Sequence, residues 1–182
     1  MRSIPLDQMN HPTKLAHVVL RVSKLEECVA WYETVLGARP VFQNAFIAFL
    51  TYDDEHHRIA LLCDPESTPP PPRTTGLEHV AFTYAGLGEL LQTYRRLSRA
   101  GIHPYWCINH GPTTSFYYRD PAGNQVELQH DNYPTEEELK AWFATGAFAK
   151  NPIGVTFDPE KLVARWERGD AIEELIQQGS AS

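Results

Sequence analysis

Two histidines and one carboxylate, His17, His79 and Glu127, each stand inside an apolar stretch. His17 lies between Ala16 and Val18, His79 precedes Val80-Ala81-Phe82, and Glu127 lies between Val126 and Leu128. A carboxylate inside an apolar strand is costly to desolvate unless it is paired or bound to a metal. Two neutral imidazoles and one carboxylate leave coordination positions open, and that donor set suits non-haem Fe(II) and O₂ chemistry. Each residue alone has an ordinary explanation: a strand histidine is commonly a satisfied core or surface residue, and Glu127 could pair with Arg119. A second cluster, EHHRIALLC over residues 55–63, places adjacent histidines at the head of an apolar run. His56 and His57 are either hairpin-tip residues in solvent, behind Asp53-Asp54-Glu55, or groups that do chemistry. Strict alternation puts His56 on the face of Ala60; a bulge would put His57 there.

The elements that must position these residues repeat. LAHVVLRV (15–22) reads as a strand and LEECVAWYETVLG (25–37) as a helix ending on Gly37. ARPVFQ, AFIAFLTYD and HRIALLC follow as three strand candidates. After the prolines of STPPPPR (67–73), the order restarts. GLEHVAFTY (76–84) reads as a strand, LGELLQTYRRLSRAG (87–101) as a helix, and HPYWCINH, TSFYYRD and NQVELQH as three strands. Pro121-Ala122-Gly123-Asn124 makes the last turn. The expected fold is α+β: two tandem βαβββ modules, 14–66 and 76–132, repeating at about 60 residues. His17 and His79 fall at equivalent places, so the modules are expected to share one metal-binding cleft. Residues 1–13 read as an arm, 67–75 as a proline-rich linker, and 133–182 as a C-terminal helical extension. That extension has a helix start at PTEEELKAWFA, a turn region at NPIGVTFDP and a final helix from about 158 to 177. It is expected to pack on the core or on a second subunit.

The 182 residues are 42% hydrophobic with a net charge of −7. The acidic balance argues against nucleic acid or an anionic membrane as partner. No apolar run approaches the roughly 20 residues of a membrane span, and MRSIPLDQMNHPTK has no apolar signal segment. The three cysteines, Cys28, Cys63 and Cys107, form neither a disulfide framework nor a metal knuckle. A soluble cytoplasmic protein is expected, with Cys63 and Cys107 as small core residues.

The paired βαβββ pattern, a histidine opening each half, and the closing motif YRDPAGNQVE within FYYRDPAGNQVELQ resemble the vicinal oxygen chelate superfamily. Over roughly residues 14–132 the chain looks most like single-domain type I extradiol ring-cleavage dioxygenases. The resemblance implies Fe(II), with Mn(II) as the less common alternative, held by His17, His79 and Glu127. It implies a small aromatic diol and O₂ as substrates, and a homo-oligomer. It makes His57 the acid/base residue and Tyr117 the tyrosine that hydrogen-bonds a substrate oxygen. His110 resembles the histidine upstream of that tyrosine, at a shorter spacing than in two-domain enzymes. Phe46, Phe49, Trp106 and Phe116 are candidates for the ring pocket. Glyoxalase- or epimerase-like members commonly take a fourth ligand from the last strand of the first half. Aligning HRIALLC with NQVELQH puts Ala60 there, and alanine cannot ligate. The other readings are a metal-dependent isomerase, lyase or epimerase, and a non-catalytic binding protein of the bleomycin-resistance type. His11, His103 and His130 are expected at the surface.

Overall fold

The computed structural model describes residues 9–71 and 73–182. Most of the expected arm, residues 1–8, and Pro72 of the expected linker lie outside the described residues. The chain divides into two compact units between Ser67 and Thr68, at the start of the proline run.

Unit 1 has the order β1 (Val18–Val22), α1 (Leu25–Leu36), β2 (Arg39–Gln43), β3 (Ile47–Thr51) and β4 (Ile59–Cys63). Its sheet runs β1-β4-β3-β2, with β1 and β4 parallel and the other pairs antiparallel. Alternation sends Leu20, Val22, Ala48, Leu50, Ile59 and Leu61 to one face, where all are buried. The helix answers with Leu25, Cys28, Val29, Tyr32 and Val35 at helical spacing. Burial of each large side chain is worth about 1.5–3 kcal/mol, so this seam fixes which face of the sheet remains for chemistry. Gly37 closes α1 at φ +64°, its N–H bonded to the Glu33 carbonyl.

Unit 2 repeats the pattern with β5 (Val80–Tyr84), α2 (Leu87–Arg99), β6 (Trp106–Asn109), β7 (Thr113–Arg119) and β8 (Gln125–Asp131). With a short strand β9 (Val155–Thr156) from the C-terminal extension, the sheet runs β5-β8-β7-β6-β9, with β5 and β8 parallel. Leu87, Leu90, Leu91, Tyr94 and Leu97 of α2 are buried, as are Val126, Leu128, Phe116, Tyr118 and Cys107 on the strands. The last turn forms as the motif predicts. The Asp120 carboxylate accepts from the backbone N–H groups of Ala122 and Asn124 and from the Asn124 amide.

The C-terminal extension belongs to unit 2. It contains α3 (Glu136–Ala144), α4 (Ala147–Lys150), β9 (Val155–Thr156), α5 (Pro159–Glu167) and α6 (Ile172–Leu175). The turn region expected at NPIGVTFDP holds β9, which adds a fifth strand beside β6. The single final helix expected over 158–177 is instead two, broken at Gly169, which takes φ +91°. Asp170 there accepts from both Arg165 and Arg168, which holds the bend. Glu160 and Glu167 of α5 take ion pairs from Arg95 of α2, and Tyr94 donates to Glu160 at 2.6 Å. Among the described residues no helix is long and apolar enough to cross a membrane.

Candidate metal and substrate site

Both candidate histidines sit immediately before a strand rather than within one, since β1 starts at Val18 and β5 at Val80. The residues ahead of them bond to side chains instead of the ladder. Arg58 donates through Nη1 to the carbonyls of Leu15 (2.7 Å) and Ala16 (3.1 Å). In unit 2, Gln125 donates through Nε2 to the carbonyl of Glu78 at 3.0 Å.

The strand registers make this correspondence exact in position. Two residues beyond His17, Val19 pairs with Ala60; two residues beyond His79, Ala81 pairs with Glu127. Ala60 in turn pairs with Phe49, and Phe49 with Phe42. Glu127 pairs with Tyr117, and Tyr117 with Trp106. The two units therefore carry the same row on the face away from the helix. One reads His17, Ala60, Phe49, Phe42; the other reads His79, Glu127, Tyr117, Trp106. Arg58 and Gln125, two residues before Ala60 and Glu127 respectively, are equivalent grips on the carbonyl preceding a histidine. The first unit thus offers one metal donor in this row and the second offers two.

In unit 2, His79 Nε2 lies 2.9 Å from Glu127 Oε2. The Glu127 side chain is only 5% exposed, flanked by buried Val126 and Leu128. Its partner is His79, not Arg119, whose guanidinium stacks over Tyr105. Tyr117 sets its ring edge-on to His79, 5.3 Å between centroids. Burial first, then the Glu127 charge and its hydrogen bond, push the Tyr117 hydroxyl pKa well up, so it stays a proton donor. His110 Nε2 lies 2.9 Å from the Tyr117 hydroxyl, so these two candidates do meet. Trp106 packs against Tyr117 at 4.9 Å.

In unit 1, the His57 ring stacks on Phe49 at 4.5 Å and lies 4.3 Å from His17. His56 is farther from His17, at 6.3 Å, and is exposed. Thus His57, not His56, occupies the Ala60 face. No bulge is needed, because β4 begins only at Ile59 and the turn before it sets the ring. Burial first, then the neighbouring His17 and His56 rings, lower the His57 pKa, which favours its neutral form. His56 and His57 share a hydrogen bond between their Nδ1 atoms at 2.6 Å.

Several expected neighbours lie elsewhere. Phe116 is fully buried on the opposite face of its sheet, against Tyr94 and Phe157, because alternation separates it from Tyr117. Phe46 is 73% exposed in the hairpin turn. His11 and His103 are exposed as expected, but His130 belongs to β8 and its Nδ1 is buried. Cys107 is buried and Cys63 half-buried. Sequence reasoning missed Arg58, Gln125 and the Ile153 carbonyl, which accepts from His110 Nδ1.

Residues 14–128 match the model of the Glyoxalase/Bleomycin resistance protein/Dioxygenase superfamily. The chain belongs to that superfamily. Within it, the chain is 42% identical over 168 residues to biphenyl-2,3-diol 1,2-dioxygenase 2 of Rhodococcus globerulus, covering 92% of this chain and 88% of that protein. It is 43% identical over 170 residues to biphenyl-2,3-diol 1,2-dioxygenase 3 of the same organism, covering 92% and 90%. The superfamily fold also appears in the crystal structure of lactoylglutathione lyase from Agrobacterium tumefaciens. The TM-score is 0.55 at 22% identity, over 66% of this chain and 96% of that one.

The donor chemistry of His79 and Glu127, an imidazole beside a buried carboxylate, fits a divalent metal. Among the described residues no group of three such donors is gathered. Unit 2 supplies a buried carboxylate beside an imidazole, an arrangement a shared cation would satisfy. Unit 1 carries His17 at the position equivalent to His79, and Ala60 where unit 2 has Glu127.

Proposed function

We propose that the protein is an extradiol ring-cleaving dioxygenase acting on a catechol-type diol, with Fe(II), or Mn(II), held by His17, His79 and Glu127. The observation that carries the reading is the His110–Tyr117–Glu127–His79 row. It occurs in a chain 42% identical to a biphenyl-2,3-diol dioxygenase. Three protein ligands rather than four leave coordination positions for small molecules. Ala60 argues against the isomerase, lyase or epimerase reading for the same reason.

When bound, the metal supplies Lewis acidity and the electron path that couples diol and O₂. The chain's own residues do the rest. Tyr117 orients one diol oxygen through its hydroxyl, and His110 Nε2 takes or holds the proton that the hydroxyl carries. His57, neutral and with Nδ1 engaged by His56, exchanges a proton at Nε2 during ring opening. Phe49 and Trp106 give aromatic faces against which a diol ring can pack. Both oxygen atoms of O₂ end in the ring-opened product. The three free cysteines suit a reducing, cytoplasmic setting, and homo-oligomerisation goes with the single-domain form.

The test is anaerobic loading with Fe(II), then exposure to air with a panel of catechols of increasing 3-substituent size. The expected result is a rise in the visible absorbance of a ring-opened product, abolished by His17→Ala and Glu127→Ala. No rise with any diol, despite stoichiometric iron, would refute the reading.

A further inference from the structure

The turn that carries His110 is gripped by the C-terminal extension. His110 lies between buried Asn109 and buried Gly111. Asn109 donates to the Ile176 carbonyl at 2.7 Å and accepts on its own carbonyl from Gln178 at 3.1 Å. Beyond it, β9 pairs with β6 through Ile108–Thr156 and Asn109–Val155. The segment entering β9 is itself clamped. The Asn151 side chain donates to the Gly154 carbonyl at 2.7 Å and accepts from the Gly154 N–H at 3.0 Å. Gly154 takes φ +110°, and a Cβ there would stand 2.7 Å from the His110 Cα and overlap the Asn109 carbonyl. Only glycine lets this strand lie so close. The result is that the Ile153 carbonyl meets His110 Nδ1 at 2.5 Å.

A carbonyl oxygen only accepts. The nitrogen facing it must therefore carry the proton. We infer that the segment Asn151–Gly154 is a positioning element that fixes His110 as its Nδ1–H tautomer. Its Nε2 is then a bare acceptor aimed at the Tyr117 hydroxyl. The tautomer sets the direction of the relay. With Nε2 unprotonated, the Tyr117 O–H donates to His110 in place of Glu127, and a tyrosine lone pair is left for the incoming diol. That lone pair accepts a diol proton, and His110 Nε2 accepts in turn from Tyr117. In the opposite tautomer Nε2–H would donate to Tyr117, the tyrosine proton would turn to Glu127, and Nδ1 would meet the Ile153 carbonyl lone pair to lone pair. The extension, which supplies no side chain to the row, thereby decides which way its protons can move. The catalytic consequence rests on the dioxygenase reading; the tautomer does not.

The test is long-range ¹H–¹⁵N correlation spectroscopy of the histidine rings in the full chain, freed of paramagnetic metal, at pH 8. His110→Gln assigns the resonance. Wild-type His110 is expected as Nδ1–H. Gly154→Ala and Asn151→Ala are expected to give a mixed or Nε2–H ring, with the remaining histidine signals in place. In the iron-loaded enzyme the same variants should lower kcat about tenfold, with a smaller change in KM. An Nε2–H ring in the wild type overturns the inference. So does an unchanged Nδ1–H ring in either folded variant; should Gly154→Ala fail to fold, Asn151→Ala decides. The ring spectrum needs neither metal nor diol, so a failed cleavage assay leaves this result readable.

Discussion

Removing the Tyr117 hydroxyl should uncouple the row that the second unit builds. The side chain is 5% exposed, so solvent cannot replace the lost partner. Its hydroxyl contacts His110 Nε2 at 2.9 Å and also bonds Glu127. A neutral hydrogen bond contributes about 0.5–1.5 kcal/mol net, and one to a charged acceptor about 1.5–3. One hydroxyl proton serves only one acceptor at a time, so Tyr117→Phe is expected to cost about 1–3 kcal/mol. For a chain of this size that is roughly 2–4 °C of Tm per kcal/mol. The sharper assay is a double-mutant cycle with His110→Ala, read by thermal or denaturant unfolding. The expected coupling energy is about 0.5–1.5 kcal/mol, the neutral pair's share. In the loaded enzyme each single variant should weaken kcat/KM for the diol about tenfold, and the double variant little more. Additive stabilities, with coupling under about 0.3 kcal/mol, would refute the His110–Tyr117 contact and the reasoning built on it.

Other perturbations test other parts of the account. Arg58→Ala and Gln125→Ala remove the equivalent grips ahead of His17 and His79; each should weaken divalent-metal affinity about 10–100-fold in a calorimetric titration, whereas unchanged affinity would deny them that role. Gly111→Ala puts a Cβ into the Trp142 indole at a φ of +99°, and should cost about 1–3 kcal/mol. Gly37→Ala, with nothing within 4 Å of its Cβ, should cost only the backbone strain of about 1–2 kcal/mol; denaturant midpoints rank the two. Hydrogen bonds from Arg168 and then Arg165 hold the Asp170 pKa down, at about 2. A carboxylate lowered on folding stabilises above its unfolded pKa of about 4 and loses that as pH falls toward 2. Asp170→Asn should therefore lower Tm at neutral pH, with the gap closing between about pH 4 and pH 2; a constant gap would contradict the assignment.

Much of the first-order plan is written in the chain. The β-α-β-β-β order is legible twice because alternation and helical spacing are strong, and because Gly37 and the proline run punctuate them. The equivalence of His17 with His79 and of Ala60 with Glu127 is legible because the repeat gives each residue a counterpart, and the strand registers align those counterparts without a slip. Alternation alone does not choose His57, which the resemblance implies, over His56, since the choice depends on the turn between β3 and β4, where period-2 reasoning has no hold. The extension was the least legible part. Its strand β9 is two residues long, and its contribution to the site is a main-chain carbonyl at Ile153, a group every residue carries. The one local signal was the Asn151-Pro152-Ile153-Gly154 sequence, which marks a turn but does not say what it lies against. Helix α5 ended early because Gly169 and Asp170 favour the bend, a preference that apolar spacing through Leu175 outweighed in the sequence.

The most direct test of the central claim is ring opening under ¹⁸O₂. Iron-loaded protein and its best diol are mixed without oxygen, exposed to labelled gas, and the product is weighed by mass spectrometry. A ring-opened product carrying both labelled atoms is expected from the wild type and not from Glu127→Ala. A product without label, or a diol oxidised with its ring intact, would contradict the claim.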